Sequence, residues 1–140
     1  MDHKALAREM RGLREQVSGI TDTAVAAADG LLIAADTADS IDPDGLAALA
    51  AAGLGLARRT AEATSRGSLN RTVAYGSHGC AAFYAVGETA LMVVLGDEGM
   101  DVERLHRATQ PALRRIDLIL TDRAPEPTPF AQPHRAAEGV

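Results

Sequence analysis

His78 and Cys80 stand two residues apart and Asp97 follows one hairpin later, the residue types of a thiol nucleophile, its base and the group that orients the base. The spacing speaks against that chemistry. Residues i and i+2 share a face only within a strand, whereas His78 sits in the loop Gly76-Ser77-His78-Gly79, and a thiolate needs an electropositive setting that no neighbour supplies. Cys80 reads instead as a small apolar thiol within a sheet. His3, His106 and His134 fall at helix ends and in the tail without metal-ligand spacing, so no metal site is expected. Gly53-Leu54-Gly55 continues as Leu56-Ala57-Arg58 inside a helix and fails the dinucleotide fingerprint, and no glycine-rich phosphate loop ending in Lys-Ser or Lys-Thr occurs. No catalytic residue, cofactor site or metal site is assigned, and the chain is not read as an enzyme. The acid pairs Asp36/Asp39, Asp42/Asp44 and Asp97/Glu98 flank turns and helix starts, where carboxylates meet free N–H groups. Arg58 and Arg59 are of the type that stabilises charge in phosphoryl transfer, and the plainer reading is the cationic end of a helix.

These residues are positioned by eight elements. Leu6, Met10, Leu13 and Val17 recur at helical spacing among charged residues, which predicts an amphipathic helix over 3–18. Thr23 to Ala28 and Leu31 to Ala35 flank Asp29-Gly30, the signal of a strand, a tight turn and a strand. Asp42 is placed to cap a helix whose first residue is Pro43 and which runs to about Ser65, with Gly67 closing it. That helix carries no charge from Leu46 to Ala57, the pattern of a helix buried on more than one side. Alternation through Leu69, Arg71, Val73 and Tyr75 predicts a strand over 68–76. Cys80 to Val86 and Thr89 to Leu95 follow as two more, the last apolar on both faces and therefore central. Asp101 is placed to cap a final helix with Val102, Leu105, Leu113, Ile116 and Leu120 on one stripe, which Pro111 should kink or split.

The order α-β-β-α-β-β-β-α excludes a doubly wound nucleotide fold and predicts an α/β (α+β) sandwich on an antiparallel sheet. A chain of 140 residues holds one core, placed at 1–122, and the four prolines after residue 122 mark 123–140 as a proline-rich, disordered tail. Net charge is −5, with 14 basic against 19 acidic residues, which argues against a nucleic-acid binder. A single cysteine, no apolar leader and no membrane-spanning run point to the cytoplasm, without membrane insertion. The Ala-, Gly- and Leu-lined helix from Pro43 exceeds what so short a chain can bury, and the strand over 68–76 lies at the meander's outer edge. Both needs are met by a two-fold homodimer.

The Val25-Ala26-Ala27-Ala28-Asp29-Gly30-Leu31-Leu32-Ile33-Ala34 stretch, the Ala-rich helix before a three-strand meander and the Leu91-Met92-Val93-Val94-Leu95 strand together resemble the roadblock/dynein-light-chain domain family, over residues 3 to about 121. The resemblance implies a five-stranded antiparallel sheet between one helix and a pair of helices, and a homodimer continuing into a ten-stranded sheet. It implies a non-catalytic scaffold or regulator of a small Ras-like GTPase. Carried onto this chain, the dimer interface comprises Leu46, Leu49, Ala50, Gly53, Leu54 and Ala57 from the helix and Arg71, Val73 and Tyr75 from the strand, with Arg58 and Arg59 as candidate GTPase contacts. The Ala- and Arg-rich composition is similar to actinobacterial members, whose expected partners include a sensor-kinase-like protein. A different class, a small-ligand sensor, stands as the alternative, because sheets flanked by helices also build pockets.

Overall fold

The computed structural model describes residues 1–121, so the expectation for the tail at 123–140 lies outside the described residues. Eight elements follow in the expected order: α1 (His3–Gln16), β1 (Ile20–Ala27), β2 (Leu32–Asp36), α2 (Pro43–Ala63), β3 (Arg71–Gly76), β4 (Gly79–Val86), β5 (Ala90–Gly96) and α3 (Val102–Thr121). All strand pairs are antiparallel, in the order β2-β1-β5-β4-β3. The all-apolar β5 is central, since a strand covered on both faces needs no polar side.

Local chemistry explains most boundaries. Asp2 starts α1 by accepting the Ala5 N–H at 3.0 Å. The β1–β2 turn takes Gly30 at φ +94, and the Asp29 carboxylate accepts the Leu31 N–H there. β1 begins three residues earlier than Thr23, because Ile20 and Asp22 find partners in Gly96 and Leu95 of β5. Asp42 does precede α2 and Pro43 occupies its first turn, yet the Asp42 side chain makes no capping bond. Nor does Gly67 close α2. Ser65 takes the left-handed conformation (φ +58), its N–H donates to the Glu62 carbonyl, and the Arg66 N–H donates to that of Ala61 at 2.7 Å. This pair of reversed bonds terminates the helix two residues sooner.

Pro111 neither splits nor ends α3, which runs unbroken for 20 residues. The carbonyl it deprives of a partner belongs to Arg107, an exposed residue, so water can satisfy that group. Asp101 caps α3 through the Arg104 N–H at 3.1 Å.

One face of the sheet carries α1 and α3. Leu6, Met10 and Leu13 from α1 and Leu105 and Ile116 from α3 meet Val25, Met92, Val94, Ala82 and Val86 there. The other face carries α2 alone, with Ala47, Ala50 and Leu54 on Ala24, Ala26, Leu91 and Val93.

Candidate functional site

A single helix cannot cover a five-stranded sheet, and the shortfall falls on β3 and β4. On the α1/α3 side, Ala82, Tyr84 and Val86 of β4 are buried, whereas Ala81, Phe83 and Ala85 on the α2 side are only partly covered and Ala74 of β3 is exposed. The flank of α2 adds Leu49, 70% exposed, and Leu56, 63% exposed. These two leucines lie seven residues apart, hence on one side of the helix. Tyr75, at 73%, lies at the same strand edge on the opposite face, that of α1 and α3, where it pairs with Cys80. Contiguous apolar surface of this kind marks an interaction site.

The two sheet edges differ in protection. β2 has five residues, an irregular register beside Val25 and Ala26, and Asp36 engaged with Arg14 at 2.7 Å, features that discourage further pairing. β3 has no proline, and its register with β4 is regular throughout. Its backbone polarity follows from one bond: the Asn70 carbonyl accepts the Ala85 N–H at 2.8 Å and so faces β4. Alternation then turns Thr72, Ala74 and Gly76 toward β4 as well. The N–H and C=O groups of Arg71, Val73 and Tyr75 point outward along the free edge.

The residues expected at an interface separate accordingly. Leu49, Arg71 and Tyr75 are exposed, Leu46 and Ala57 are partly covered, and Val73 packs partly against the α1/α3-side core. Ala50 (0%) and Leu54 (2%) are consumed by the chain's own core, and Gly53 faces the sheet, where a Cβ would stand 2.7 Å from Phe83 Cε2. Leu56 was missed by sequence reasoning, although its spacing from Leu49 is the available signal. Arg58 donates through Nε to the Leu69 carbonyl at 3.2 Å and so anchors the α2–β3 connection, while Arg59 is exposed.

His78, Cys80 and Asp97 do not assemble a nucleophile. Burial raises the Cys80 pKa and the Asp97 carboxylate raises it further, the opposite of thiolate activation. His78 Nδ1 lies 3.5 Å from Glu98 Oε2 at the surface, and Asp97 accepts the Gly99 N–H at 2.9 Å. Among the described residues, no group of three or more His, Cys, Asp and Glu is gathered to hold a metal, and no helix is long and apolar enough to cross a membrane.

Two features had no sequence signal. Tyr84 Oη is 2.7 Å from His106 Nδ1, and the rings meet edge to face at 5.7 Å. Burial pushes the Tyr84 phenol up to about 12, while burial, and then Arg71, lower the His106 pKa. Both shifts favour the neutral forms, and the one hydrogen bond between them takes its direction from the imidazole tautomer. Above the pair an open groove of about 660 Å3 runs between β3 and α3, with Arg71, Tyr84, Gln110, Leu113 and Arg114 among its walls.

The Roadblock/LC7 domain model matches residues 6–96. Two uncharacterized proteins of Methanocaldococcus jannaschii are 37% and 32% identical over 101 residues, 72% of this chain and 88% of each relative. The fold is similar to the crystal structure of a Roadblock/LC7 domain from Streptomyces avermitilis, with TM-score 0.76 and 21% identity over 81% of this chain and 96% of that one. It is similar also to Myxococcus xanthus MglB, with TM-score 0.78 and 15% identity over 89% and 94%. A third neighbour is the gliding protein MglB of Thermus thermophilus, with TM-score 0.75 and 16% identity over 86% and 91%.

Proposed function

The chain belongs to the Roadblock/LC7 domain family, and from that premise we propose that it is a non-catalytic homodimeric adaptor of the cytoplasm that binds a small Ras-like GTPase and modulates its nucleotide cycle or location. The observation that carries the proposal is the uncovered half of the α2-side sheet face, bordered by Leu49, Leu56 and the unguarded β3 edge. A second copy presenting the same surface covers both, joining β3 to β3 and α2 to α2 in an isologous contact. Leu46, Leu49, Leu56, Ala57, Arg71, Val73 and Tyr75 form that contact, with Ala50, Gly53 and Leu54 supporting it from within. The GTPase rests on the family resemblance, and Arg59, exposed near the end of α2, is its candidate contact in preference to Arg58. A sensor-kinase-like protein is the further partner that the same resemblance suggests.

Light scattering on the wild type and on Leu49→Glu/Leu56→Glu tests the assembly: a dimer that the paired charges dissociate is expected, and a monomeric wild type refutes it. Pull-down of the GTPase in its GDP and GTP-analogue forms tests regulation, since only unequal binding to the two forms lets the adaptor shift the nucleotide cycle. The small-ligand sensor is the second reading, favoured by the groove between β3 and α3. A metabolite that raises the melting temperature of the wild type, but not of Arg71→Gln/Arg114→Gln, would move that reading to first place.

A further inference from the structure

The outward backbone groups of β3 restrict how a second copy can add to the sheet. A two-fold axis normal to the sheet keeps each side chain on the face of the residue opposite, so facing residues are both odd-numbered or both even-numbered and one residue faces its own copy. Pairing is longest when that residue lies near the middle of β3, at Thr72, Val73 or Ala74, since an axis nearer either end leaves more of the strand unpaired. Hydrogen-bonded pairs form only between residues whose N–H and C=O point outward, here Arg71, Val73 and Tyr75. An axis at Val73 uses all three, pairing Val73 with itself and Arg71 with Tyr75 on both sides. An axis at Thr72 or Ala74 uses fewer, leaving Tyr75 facing Leu69 or Arg71 facing Ser77, residues outside the strand.

We infer that two copies of this chain pair β3 with β3 in the register centred on Val73, so that the partner's Tyr75 lies across from Arg71 and walls the open groove at the sheet edge. The inference rests on the homodimer reading above and adds its register and its selecting contact. Side-chain chemistry agrees with the backbone count. Tyr75 is exposed, and among the described residues Arg71 has no ion-pair partner, so a phenol ring and a free guanidinium face each other twice across the axis. The contact selects a second copy of this chain over a strand lacking either residue.

The test uses the full chain with Cys80→Ser and one new cysteine at a time. In the inferred register the two residues at position 73 form a hydrogen-bonded pair with Cα atoms about 5.5 Å apart, within disulfide reach, whereas positions 72 and 74 are each displaced from their own copies along the strand. Under mild oxidation Val73→Cys is expected to give a covalent dimer, and Thr72→Cys and Ala74→Cys are not. A protein that is dimeric by light scattering but does not cross-link at 73, or cross-links preferentially at 72 or 74, overturns the register. A monomer that cross-links nowhere overturns the homodimer reading itself. Independently, Tyr75→Ala and Arg71→Gln should each weaken the dimer about tenfold while Tyr75→Phe retains it. A Tyr75→Ala dimer as tight as the wild type overturns the contact.

Discussion

Gly53 and Gly55 lie two residues apart in the same apolar helix, and the structure predicts opposite outcomes when each becomes alanine. In a helix interior glycine is disfavoured by about 0.8–1 kcal/mol relative to alanine, so both substitutions begin with the same gain. At Gly55 nothing lies within 4 Å of the added carbon, and the gain should be realised in full. At Gly53 the carbon would stand 2.7 Å from Phe83 Cε2 and 3.1 Å from Cδ2. Phe83 is fixed through its backbone between Thr72 of β3 and Val93 of β5, so relief requires the ring to turn or α2 to lift from the sheet. Such overpacking costs about 1–3 kcal/mol, which cancels or exceeds the propensity gain. Urea unfolding at fixed protein concentration should place the Gly55→Ala midpoint above the wild type. Gly53→Ala should fall at or below it, the two variants differing by about 1–3 kcal/mol at unchanged m. In melting temperature each kilocalorie corresponds to about 3–5 °C for a domain of this size. Equal stabilisation by the two alanines would show that α2 does not sit against Phe83 as described.

Three other predictions concern the α1/α3 side. Tyr84→Phe leaves a buried imidazole nitrogen without its hydrogen-bond partner and should cost about 1–3 kcal/mol, measured by chemical denaturation. His106 has a folded pKa below its unfolded value, so the unfolded chain binds the extra proton as pH falls; stability present above about pH 6.5 should decline from there toward pH 5, and His106→Leu should flatten the profile in that window. A His106→Leu profile as steep as the wild type would assign the pH dependence elsewhere. Pro111→Ala restores an N–H to an unbroken helix and should stabilise by about 1–3 kcal/mol, an unchanged midpoint meaning that the Arg107 carbonyl already has an equivalent partner.

Much of this architecture was legible because its signals are local. Asp29-Gly30 set the first hairpin, the run from Leu91 to Leu95 announced the central strand, and Pro43 marked the first turn of α2. The misread boundaries depend on distant partners. Ile20 to Asp22 looks like the exit from a helix and becomes strand only because β5 lies beside it. Ser65 ends α2 because its own N–H reaches the Glu62 carbonyl and that of Arg66 reaches the Ala61 carbonyl, although glycine is the usual residue for that conformation. The Tyr84–His106 pair joins residues 22 apart, and no periodicity announces such a contact.

The orientation of α2 was the least legible feature, and the reason bears on its function. A helix that is apolar nearly all round gives no periodic clue to which side meets the sheet, so Ala50 and Leu54 read as well for an outer surface as Leu49 and Leu56. The structure resolves this by packing Leu54 among small residues on the inner side, with Ala47 and Ala50 fully buried, Gly30 of the β1–β2 turn so close that a Cβ there would stand 3.3 Å from Ala48 Cα, and Gly53 under Phe83. Close approach of backbone to backbone therefore serves helix against sheet within one chain. With the inner side built from alanine, glycine and the single leucine at 54, the leucines at 49 and 56 are left on the flank, beside a half-covered sheet and a strand whose edge still has hydrogen bonds to make. Burying what remains exposed of these two leucines is worth about 2–4 kcal/mol, a driving force that leucines already packed inward could not supply.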